Sequence, residues 1–320
     1  MKKLVRILAG TALMSAMLLV GCTSDNGNGN GGTGAGTPSP APANSPAPTG
    51  QPATGTQPEQ PTTTGAMALF TREEGSGTRS AFVDIVGVVN AAGQDDITQA
   101  AFVQSGTSAM MTGVAGNPQA LGYTSTGTLN DTVRALSIDG VAPTVENILN
   151  GTYAIQRPFI VGYNTQAGLT PLARDFWNFL FSGQAQDLIY SRAVVPVAAG
   201  APEHAASGLT GEVTIIGSSS VLDLMNRLAQ LYMDMNPGVT INVSGPGTGQ
   251  GVTAARDGLA DIMMASRYLR PAEVEVISYS TMALDGVAII VHPSNNIEGV
   301  TMEQARNIFL GEITTWDALR

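Results

Sequence analysis

The chain has 320 residues, 43% of them hydrophobic and 12% charged, which is enough for two domains with a sizeable core. Its formal net charge of −10 argues against nucleic acid as a partner, because a phosphate backbone must be neutralised by lysine and arginine. Small anions remain possible ligands, since backbone N–H groups and one or two arginines can hold them. The single cysteine, Cys22, excludes intrachain disulfides, and His204 and His292 are too far apart for metal-ligand spacing. We therefore expect neither a metal nor a cofactor.

The first 22 residues have the form of a bacterial export signal. A basic start at residues 1–6 precedes a mostly apolar run at residues 7–20. Gly21 before the lone Cys22 resembles a lipobox, which implies cleavage before Cys22 and attachment of lipid to it. The alternative is a plain secretory signal with an incidental cysteine. We predict a lipoprotein signal peptide over residues 1–22, and thus an extracytoplasmic protein anchored to the cell membrane.

Residues 23–65 differ in composition from the rest of the chain. They consist mainly of Gly, Pro, Thr, Ser, Ala, Asn and Gln and contain no lysine or arginine. Such a segment cannot bury enough surface to offset its ordering entropy, so we predict a disordered tether. It would hold the domain at residues 66–320 away from the membrane surface.

From residue 66 onward, short apolar strands alternate with amphipathic helices, a pattern that predicts an α/β fold. A strand is predicted at residues 67–71, followed by Arg72-Glu-Glu-Gly-Ser-Gly-Thr78 and a helix through Phe82 and Val86. Residues 158–161 predict a fully buried strand. A linker of small residues, 198–211, then separates this half of the chain from the next.

The second half repeats the same alternation. Residues 213–216 predict a strand, and apolar residues at helical spacing from Val221 to Met235 predict a helix that Asn236-Pro-Gly238 ends. Further strands are predicted at residues 239–243, 261–264 and 288–291. The loop Gly245-Pro-Gly-Thr-Gly-Gln-Gly251 precedes a short helix, and it lacks the lysine of a nucleotide P-loop.

Four predicted strands end in small polar or glycine-rich turns, at residues 75–78, 217–220, 246–249 and 265–267. Ligands of open α/β sheets collect beyond the carboxyl ends of strands, and helix N-termini attract anions. Arg72 adds a planar fork that suits a tetrahedral oxyanion. Any one turn could simply cap a helix, and Arg72 could belong to a solvated ion-pair cluster. Their joint occurrence predicts an oxyanion site.

At these positions the chain resembles the phosphate-binding proteins that serve phosphate ABC importers. The resemblance covers nearly all of residues 66–320 and is most specific at residues 72–78 combined with Ile308-Phe-Leu-Gly-Glu-Ile-Thr-Thr-Trp316. Further similar stretches lie at residues 120–125, 150–158, 217–221, 245–251, 260–267 and 284–291. The resemblance implies an α/β, two-lobed, periplasmic-binding-protein-like (type 2) fold that closes on phosphate about a hinge of two crossover strands.

The resemblance also assigns the ligand groups. It places phosphate ligands on Arg72, Ser76, Gly77, Thr78, Ser219, Ser220, Thr248, Gly249 and Ser266. Glu74 matches a carboxylate that orients the arginine. Some members of the family have an aspartate where this chain has Ser266, and that carboxylate accepts the proton of hydrogen phosphate and repels sulfate. Ser266 can still accept a hydrogen bond but repels nothing, so the preference for phosphate over sulfate is less secure here, although other members also carry Ser-Arg at this place.

The order of the two halves departs from the family, in which the stretch matching residues 213–316 precedes that matching residues 67–197. The swap resembles a circular permutation, with the old termini joined through residues 198–211. It predicts that residues 66 and 320 lie on the order of 10–20 Å apart. It also predicts lobe A at residues 66–156 and 293–320, lobe B at 160–287, and crossings near 157–161 and 288–292. A truncated piece of a tandem protein is the alternative.

The predicted function is extracytoplasmic binding of inorganic phosphate by a monomer, followed by delivery to an ABC permease in the membrane. One alternative is a surface phosphate sensor or scaffold without a permease. The other is a surface phosphatase, which the sequence disfavours because no nucleophile is paired with a base and no carboxylate cluster suggests a metal.

Overall fold

The computed structural model describes residues 63–320. The predicted signal peptide with Cys22 and residues 23–62 of the predicted tether lie outside the described residues. From residue 63 onward the chain is a mixture of helices and strands, so the α/β class is confirmed. None of the helices in this part of the chain is long and apolar enough to cross a membrane.

The strands and helices alternate along the described chain. The strands are β1 (Ala68–Arg72), β2 (Phe102–Gln104), β3 (Ala120–Ser125), β4 (Arg134–Ala135), β5 (Ser137–Ile138), β6 (Gln156–Asn164), β7 (Val195–Pro196), β8 (Gly211–Gly217), β9 (Val239–Ser244), β10 (Ile262–Ala265), β11 (Ile277–Val291) and β12 (Gly299–Val300). The helices are α1 (Gly77–Val86), α2 (Thr107–Ala115), α3 (Val145–Leu149), α4 (Pro171–Phe179), α5 (Gly183–Ser191), α6 (Leu222–Met235), α7 (Thr248–Arg256), α8 (Pro271–Val274) and α9 (Met302–Leu310). The strands predicted at residues 158–161 and 288–291 are therefore parts of two much longer strands.

Helix boundaries follow the local capping chemistry. Helix α1 begins after Ser76, whose hydroxyl accepts the N–H of Arg79, and ends at Gly87 in the left-handed region at φ 77°. Helix α9 begins with a capping box between Thr301 and Gln304. The Ser76 cap places the N-terminus of α1 directly after β1, at the turn that carries the predicted anion motif.

Two parallel groups of strands share one sheet, in the order β2-β1-β3-β11-β6-β10-β8-β9. Strand β1 pairs in parallel with β2 and β3, and β8 pairs in parallel with β9 and β10. The long strand β11 joins the groups, because its residues 287–291 pair antiparallel with β3 and its residues 277–286 pair antiparallel with β6. The carboxyl ends of β1, β8, β9 and β10 carry the four polar turns.

Each group of strands has its own hydrophobic core, and these cores define lobe A and lobe B. The main core of lobe A includes Leu69, Phe82, Tyr123, Ile155, Val287, Ile289, Phe309 and Trp316. The main core of lobe B includes Phe159, Phe176, Leu228, Tyr232, Ile262, Met264 and Ala283. The two-lobed architecture thus arises because each parallel group buries its apolar face separately.

The cores also locate the crossings between the lobes. On β6, Ile155 just before the strand packs in lobe A and Phe159 packs in lobe B, so this crossing spans residues 156–158. On β11, Ala283 packs in lobe B and Val287 in lobe A, so the crossing spans residues 284–286. The second crossing predicted at residues 288–292 is wrong, because residues 288–291 are buried in lobe A against β3. An unbroken apolar run does not show which core it enters.

The linker at residues 198–211 lies against lobe B. The carbonyl of Pro202 accepts the N–H of Gly183, and the N–H of His204 donates to Gln184 Oε1, each at 2.9 Å. The His204 imidazole lies 3.0 Å from Asp175, which also accepts a hydrogen bond from Tyr232 at 2.6 Å. The linker is therefore attached to α4 and α5 of lobe B through residues 202–204.

The beginning and end of the described chain meet in lobe A. Ala66 forms an antiparallel bridge with Thr315, the N–H of Met67 donates to Thr314 at 2.8 Å, and the N–H of Trp316 donates to Gly65 at 2.9 Å. The circular permutation remains a prediction, and it requires such closeness.

Candidate anion-binding site

The four predicted turns meet where lobe A faces lobe B. The turn after β1 belongs to lobe A, and the turns after β8, β9 and β10 belong to lobe B. Arg72 Nη2 donates to Ser219 Oγ at 3.0 Å, and Thr78 Oγ1 lies 2.6 Å from Ser220 Oγ. Side chains separated by more than 140 residues are therefore hydrogen-bonded across the cleft.

Arg72 lies at the end of β1 and is only 2% exposed. Its N–H donates to Tyr123 Oη at 3.1 Å, and the same phenol is 2.8 Å from Thr71 Oγ1. Burial raises the pKa of Tyr123, so the phenol remains a neutral partner. The backbone at Arg72 is thus held by lobe A, while the guanidinium extends toward lobe B.

Glu73 orients the Arg72 guanidinium. Arg72 Nε and Nη2 donate to the two carboxylate oxygens of Glu73 at 2.8 and 2.7 Å, and the N–H of Gly106 donates to the same carboxylate at 3.1 Å. Burial opposes ionisation of Glu73, but the hydrogen bonds and charge of Arg72 outweigh it and hold the pKa of Glu73 below its ordinary value. Glu74, predicted for this role, is exposed, so the structure assigns the role to Glu73 instead.

The N-terminus of α1 supplies the rest of the lobe A wall. Ser76, Gly77 and Thr78 are all buried here. The hydroxyl of Ser76 caps the helix by accepting the N–H of Arg79 at 3.3 Å, so its own proton remains free to donate. The helix end adds unpaired N–H groups and a partial positive charge, which favour an anion.

The lobe B wall is built from hydroxyl groups that hold one another. Ser218 Oγ donates to Ser266 Oγ at 2.8 Å, and the N–H of Ser266 donates to Thr248 Oγ1 at 3.3 Å. Thr248 and Ser266 are completely buried. The N–H of Gly249 donates across the cleft to the carbonyl of Gly75 at 3.2 Å, so in this arrangement it binds lobe A.

Thr107 is a residue of this site that the sequence interpretation missed. It begins α2, its Oγ1 accepts from Arg72 Nη1 at 3.4 Å, and it lies 3.2 Å from Ser219 Oγ. The signal was present in Gln104-Ser-Gly-Thr-Ser108, which ends a strand and begins a helix in the same way as the four predicted turns. The N-terminus of α2 therefore lies beside the Arg72 guanidinium, in addition to that of α1.

An open groove of about 900 Å³ leads from this site to the surface. Thr107 and Ser219 border it together with residues of α2, of the segment 127–132 and of α6. Across residues 63–320, no group of three or more His, Cys, Asp and Glu side chains is placed to hold a metal ion. The arrangement instead offers hydroxyls, backbone N–H groups and one guanidinium, a donor set that suits an oxyanion.

Comparison with known proteins identifies relatives of this chain. A family model described as the PBP superfamily domain matches residues 33–184 and 201–319. The phosphate-binding protein PstS 2 of Streptococcus pneumoniae serotype 4 is 36% identical over 259 residues, covering 80% of this chain and 88% of that protein. PstS 2 of Streptococcus agalactiae serotype V is 36% identical over 261 residues, with the same coverage.

A solved structure extends the likeness to three dimensions. The crystal structure of a phosphate-binding protein of a phosphate ABC transporter from Streptococcus pneumoniae TIGR4 matches with a TM-score of 0.66 at 36% identity, covering 80% of this chain and 100% of that chain. The phosphate-binding protein PstS of Pseudomonas aeruginosa matches over a shorter part, 30% identical over 126 residues, which is 37% of this chain and 39% of that protein.

Proposed function

The chain belongs to the PBP superfamily and is similar to phosphate-binding proteins of streptococci, and on that premise we propose that it binds inorganic phosphate outside the cytoplasmic membrane for an ABC importer. The observation that carries the proposal is the buried Arg72 guanidinium between hydroxyl groups of both lobes. An anion loses its hydration on entering such a site, so nearly every oxygen needs a donor.

The proposed donors come from both walls of the cleft. Lobe A offers Arg72 and the N-termini of α1 and α2, and lobe B offers Ser219, Ser220 and Ser266. Hydroxyl groups can rotate to donate to an oxyanion, and charge-assisted hydrogen bonds are roughly twice as strong as neutral ones. Phosphate would thus be held by several short bonds with little net charge in the site, because Glu73 already pairs with Arg72.

Binding and closure would be coupled, because donors on opposite lobes converge only when the lobes meet. The contacts Arg72–Ser219 and Thr78–Ser220 both cross the cleft. A ligand that binds the closed arrangement better than the open one shifts the population toward closure. The closed form is the one that a membrane permease would recognise.

Isothermal titration calorimetry of the protein with phosphate tests the assignment. Wild type is expected to bind, and Arg72→Ala is expected to weaken binding by at least about 100-fold, because two charged hydrogen bonds of about 1.5–3 kcal/mol each are lost. Arg256→Ala is the matched control, since Arg256 is an exposed arginine paired with Asp257 on α7. Equal phosphate affinity of wild type and Arg72→Ala would defeat the assignment.

The selectivity of the site is proposed to depend on Ser266. This buried hydroxyl accepts from Ser218 and offers no negative charge to repel a fully ionised anion. We expect sulfate to compete measurably with phosphate in wild type and to compete less in Ser266→Asp, because a carboxylate repels an anion that has no proton to give. Competition titrations of both proteins check this, and equal competition would refute the role of Ser266.

The membrane connection is part of the same proposal. Lipid on Cys22 and the tether at residues 23–65 would hold the binding domain, as a monomer, near the permease. Metabolic labelling with radioactive palmitate is expected to mark wild type and not Cys22→Ser. Labelling of both proteins alike would exclude Cys22 as the site of attachment.

The swapped order of halves is also retained as a proposal, as a difference from members such as PstS of Pseudomonas aeruginosa, which matches 37% of this chain, and not from PstS 2 of Streptococcus pneumoniae, which matches 80% of it. The support is the pairing of residues 65–67 with residues 314–316, which allows the family order to be restored by a short connection. A reordered chain with residues 198–320 placed before residues 63–197, which keeps the contacts of residues 202–204 with lobe B, is expected to fold and to bind phosphate with wild-type affinity. A reordered chain that fails to fold would contradict the permutation.

A further inference from the structure

The two crossing strands carry a buried pair of opposite charges. Arg157 on β6 and Asp285 on β11 are direct cross-strand partners, and Arg157 Nε donates to Asp285 Oδ2 at 2.8 Å. Their side chains are 1% and 0% exposed. Because both residues lie at the crossings, the pair sits at the point about which the lobes would move in the proposed closure.

Each member of the pair forms further hydrogen bonds with a different lobe. Asp285 Oδ1 accepts from Ser125 Oγ at 2.8 Å and from Thr126 Oγ1 at 2.9 Å, both at the end of β3 in lobe A. Arg157 Nη1 donates to the carbonyl oxygen of Ser266 at 3.3 Å, in the turn after β10 of lobe B. The ion pair therefore connects lobe A to the turn that presents the Ser266 hydroxyl to the cleft.

The pair is a costly arrangement for a purely structural purpose. Arg157 Nη2 is buried and has no hydrogen-bond partner among the described residues. A buried unsatisfied donor costs about 1–3 kcal/mol, and apolar residues can often replace a buried ion pair without loss of stability. Burial lowers the pKa of Arg157, the charge and hydrogen bond of Asp285 oppose that shift, and the charge of Arg72 adds to it. The charge of Arg72 thus adds to the cost of burying the Arg157 guanidinium.

We propose that Arg157 is a positioning residue for the bound anion, anchored by Asp285 in lobe A and holding the Ser266 carbonyl so that the Ser266 hydroxyl meets the anion when the lobes close. The inference rests on the proposed function and deepens it. Arg157 acts through Ser266, so its effect on affinity requires the Ser266 hydroxyl. A lysine at this position keeps the charge but lacks the fork that contacts Asp285 and Ser266 together.

A double-mutant cycle measured by calorimetry with inorganic phosphate tests this dependence. Arg157→Lys is expected to weaken phosphate binding by about tenfold or more in wild type, and by less than about twofold in the Ser266→Ala background. The matched control is Arg134→Lys, since Arg134 also holds main-chain carbonyls, those of Asn295 and Ile297, but lies away from the cleft. It is expected to change affinity by less than about twofold in both backgrounds.

The outcomes separate the inference from the function on which it rests. Wild type that fails to bind phosphate overturns the proposed function itself. Two results would overturn the positioning role alone, provided that wild type binds phosphate. One is an Arg157→Lys protein with wild-type phosphate affinity. The other is a double variant whose loss of affinity equals the product of the losses in the two single variants. If Arg157→Lys does not fold, Asp285→Asn replaces it in the same cycle, because asparagine keeps the size of the aspartate that anchors Arg157. The loss of phosphate affinity is again expected to depend on the Ser266 hydroxyl, and the same two results would overturn the positioning role.

Discussion

A methyl group added at Gly77 provides a sharp test of lobe closure. Gly77 is the first residue of α1 in lobe A, and an added Cβ would lie 2.2 Å from Thr248 Oγ1 and 2.5 Å from Ser266 Oγ, both in lobe B. The two hydroxyls cannot easily rotate away, because Thr248 Oγ1 accepts from the N–H of Ser266 and Ser266 Oγ accepts from Ser218. The methyl group would therefore separate the lobes locally by roughly 1 Å.

The expected loss of affinity follows from the bonds that this separation breaks. The contacts Arg72–Ser219 at 3.0 Å and Thr78–Ser220 at 2.6 Å would be stretched beyond hydrogen-bond length, together with their counterparts to a bound anion. Two such bonds, one of them charged, contribute about 2–4 kcal/mol. That corresponds to about 30-fold to 1,000-fold weaker phosphate binding for Gly77→Ala.

The same substitution should not harm the fold of either lobe. Alanine is favoured over glycine within a helix by about 0.8–1 kcal/mol, so the thermal midpoint without phosphate should stay equal or rise. Gly249→Ala is the matched comparison, because its Cβ would meet Gly75 Cα at an ordinary 3.6 Å and its N–H is kept. Calorimetry with phosphate and thermal unfolding by circular dichroism measure both effects. A Gly77→Ala protein with wild-type phosphate affinity would refute the clash. A strongly lowered thermal midpoint would show that the loss of affinity arises from damage to the fold and not from separation of the lobes.

Three further predictions concern the same site. Glu73→Ala should weaken phosphate binding several-fold and Glu74→Ala by less than about twofold, because Glu73 is the one of these two carboxylates that is hydrogen-bonded to the Arg72 guanidinium. Equal effects of the two substitutions in calorimetry would contradict this assignment. Thr107→Val should also weaken binding several-fold, since it removes a hydroxyl beside Arg72 at constant size, and unchanged affinity would remove Thr107 from the site. Because the pKa of Glu73 is lowered in the folded protein, its contribution to stability should be complete above the ordinary glutamate pKa and lost as the pH falls through the lowered value. Urea unfolding between about pH 7 and pH 3 should therefore show a shallower acid decline for Glu73→Gln than for wild type, and parallel curves would exclude the linkage.

Much of the fold could be predicted from local sequence patterns. Strands β1, β8, β9 and β10 and helices α1, α6 and α7 lie where apolar periodicity and glycine-rich turns predict them. The physical reason is that capping, turn formation and amphipathic spacing each involve residues within one helical turn or one strand. The polar turns after these strands were predicted for the same reason, since a strand followed by a polar helix start is visible in a few consecutive residues.

The sequence by itself determined which chemical groups are available, and the tertiary structure decided which of them act together. Glu73 and Glu74 are adjacent in the chain, and only the direction of each side chain at the end of β1 pairs Glu73 with Arg72. The pairing of Arg157 with Asp285 joins residues 128 positions apart, which no local pattern can indicate. The crossing on β11 was likewise hidden, because residues on both sides of it are apolar and only their packing assigns them to a lobe. Short-range interactions thus specify the turns that can hold an anion, whereas long-range packing specifies the cleft in which they meet.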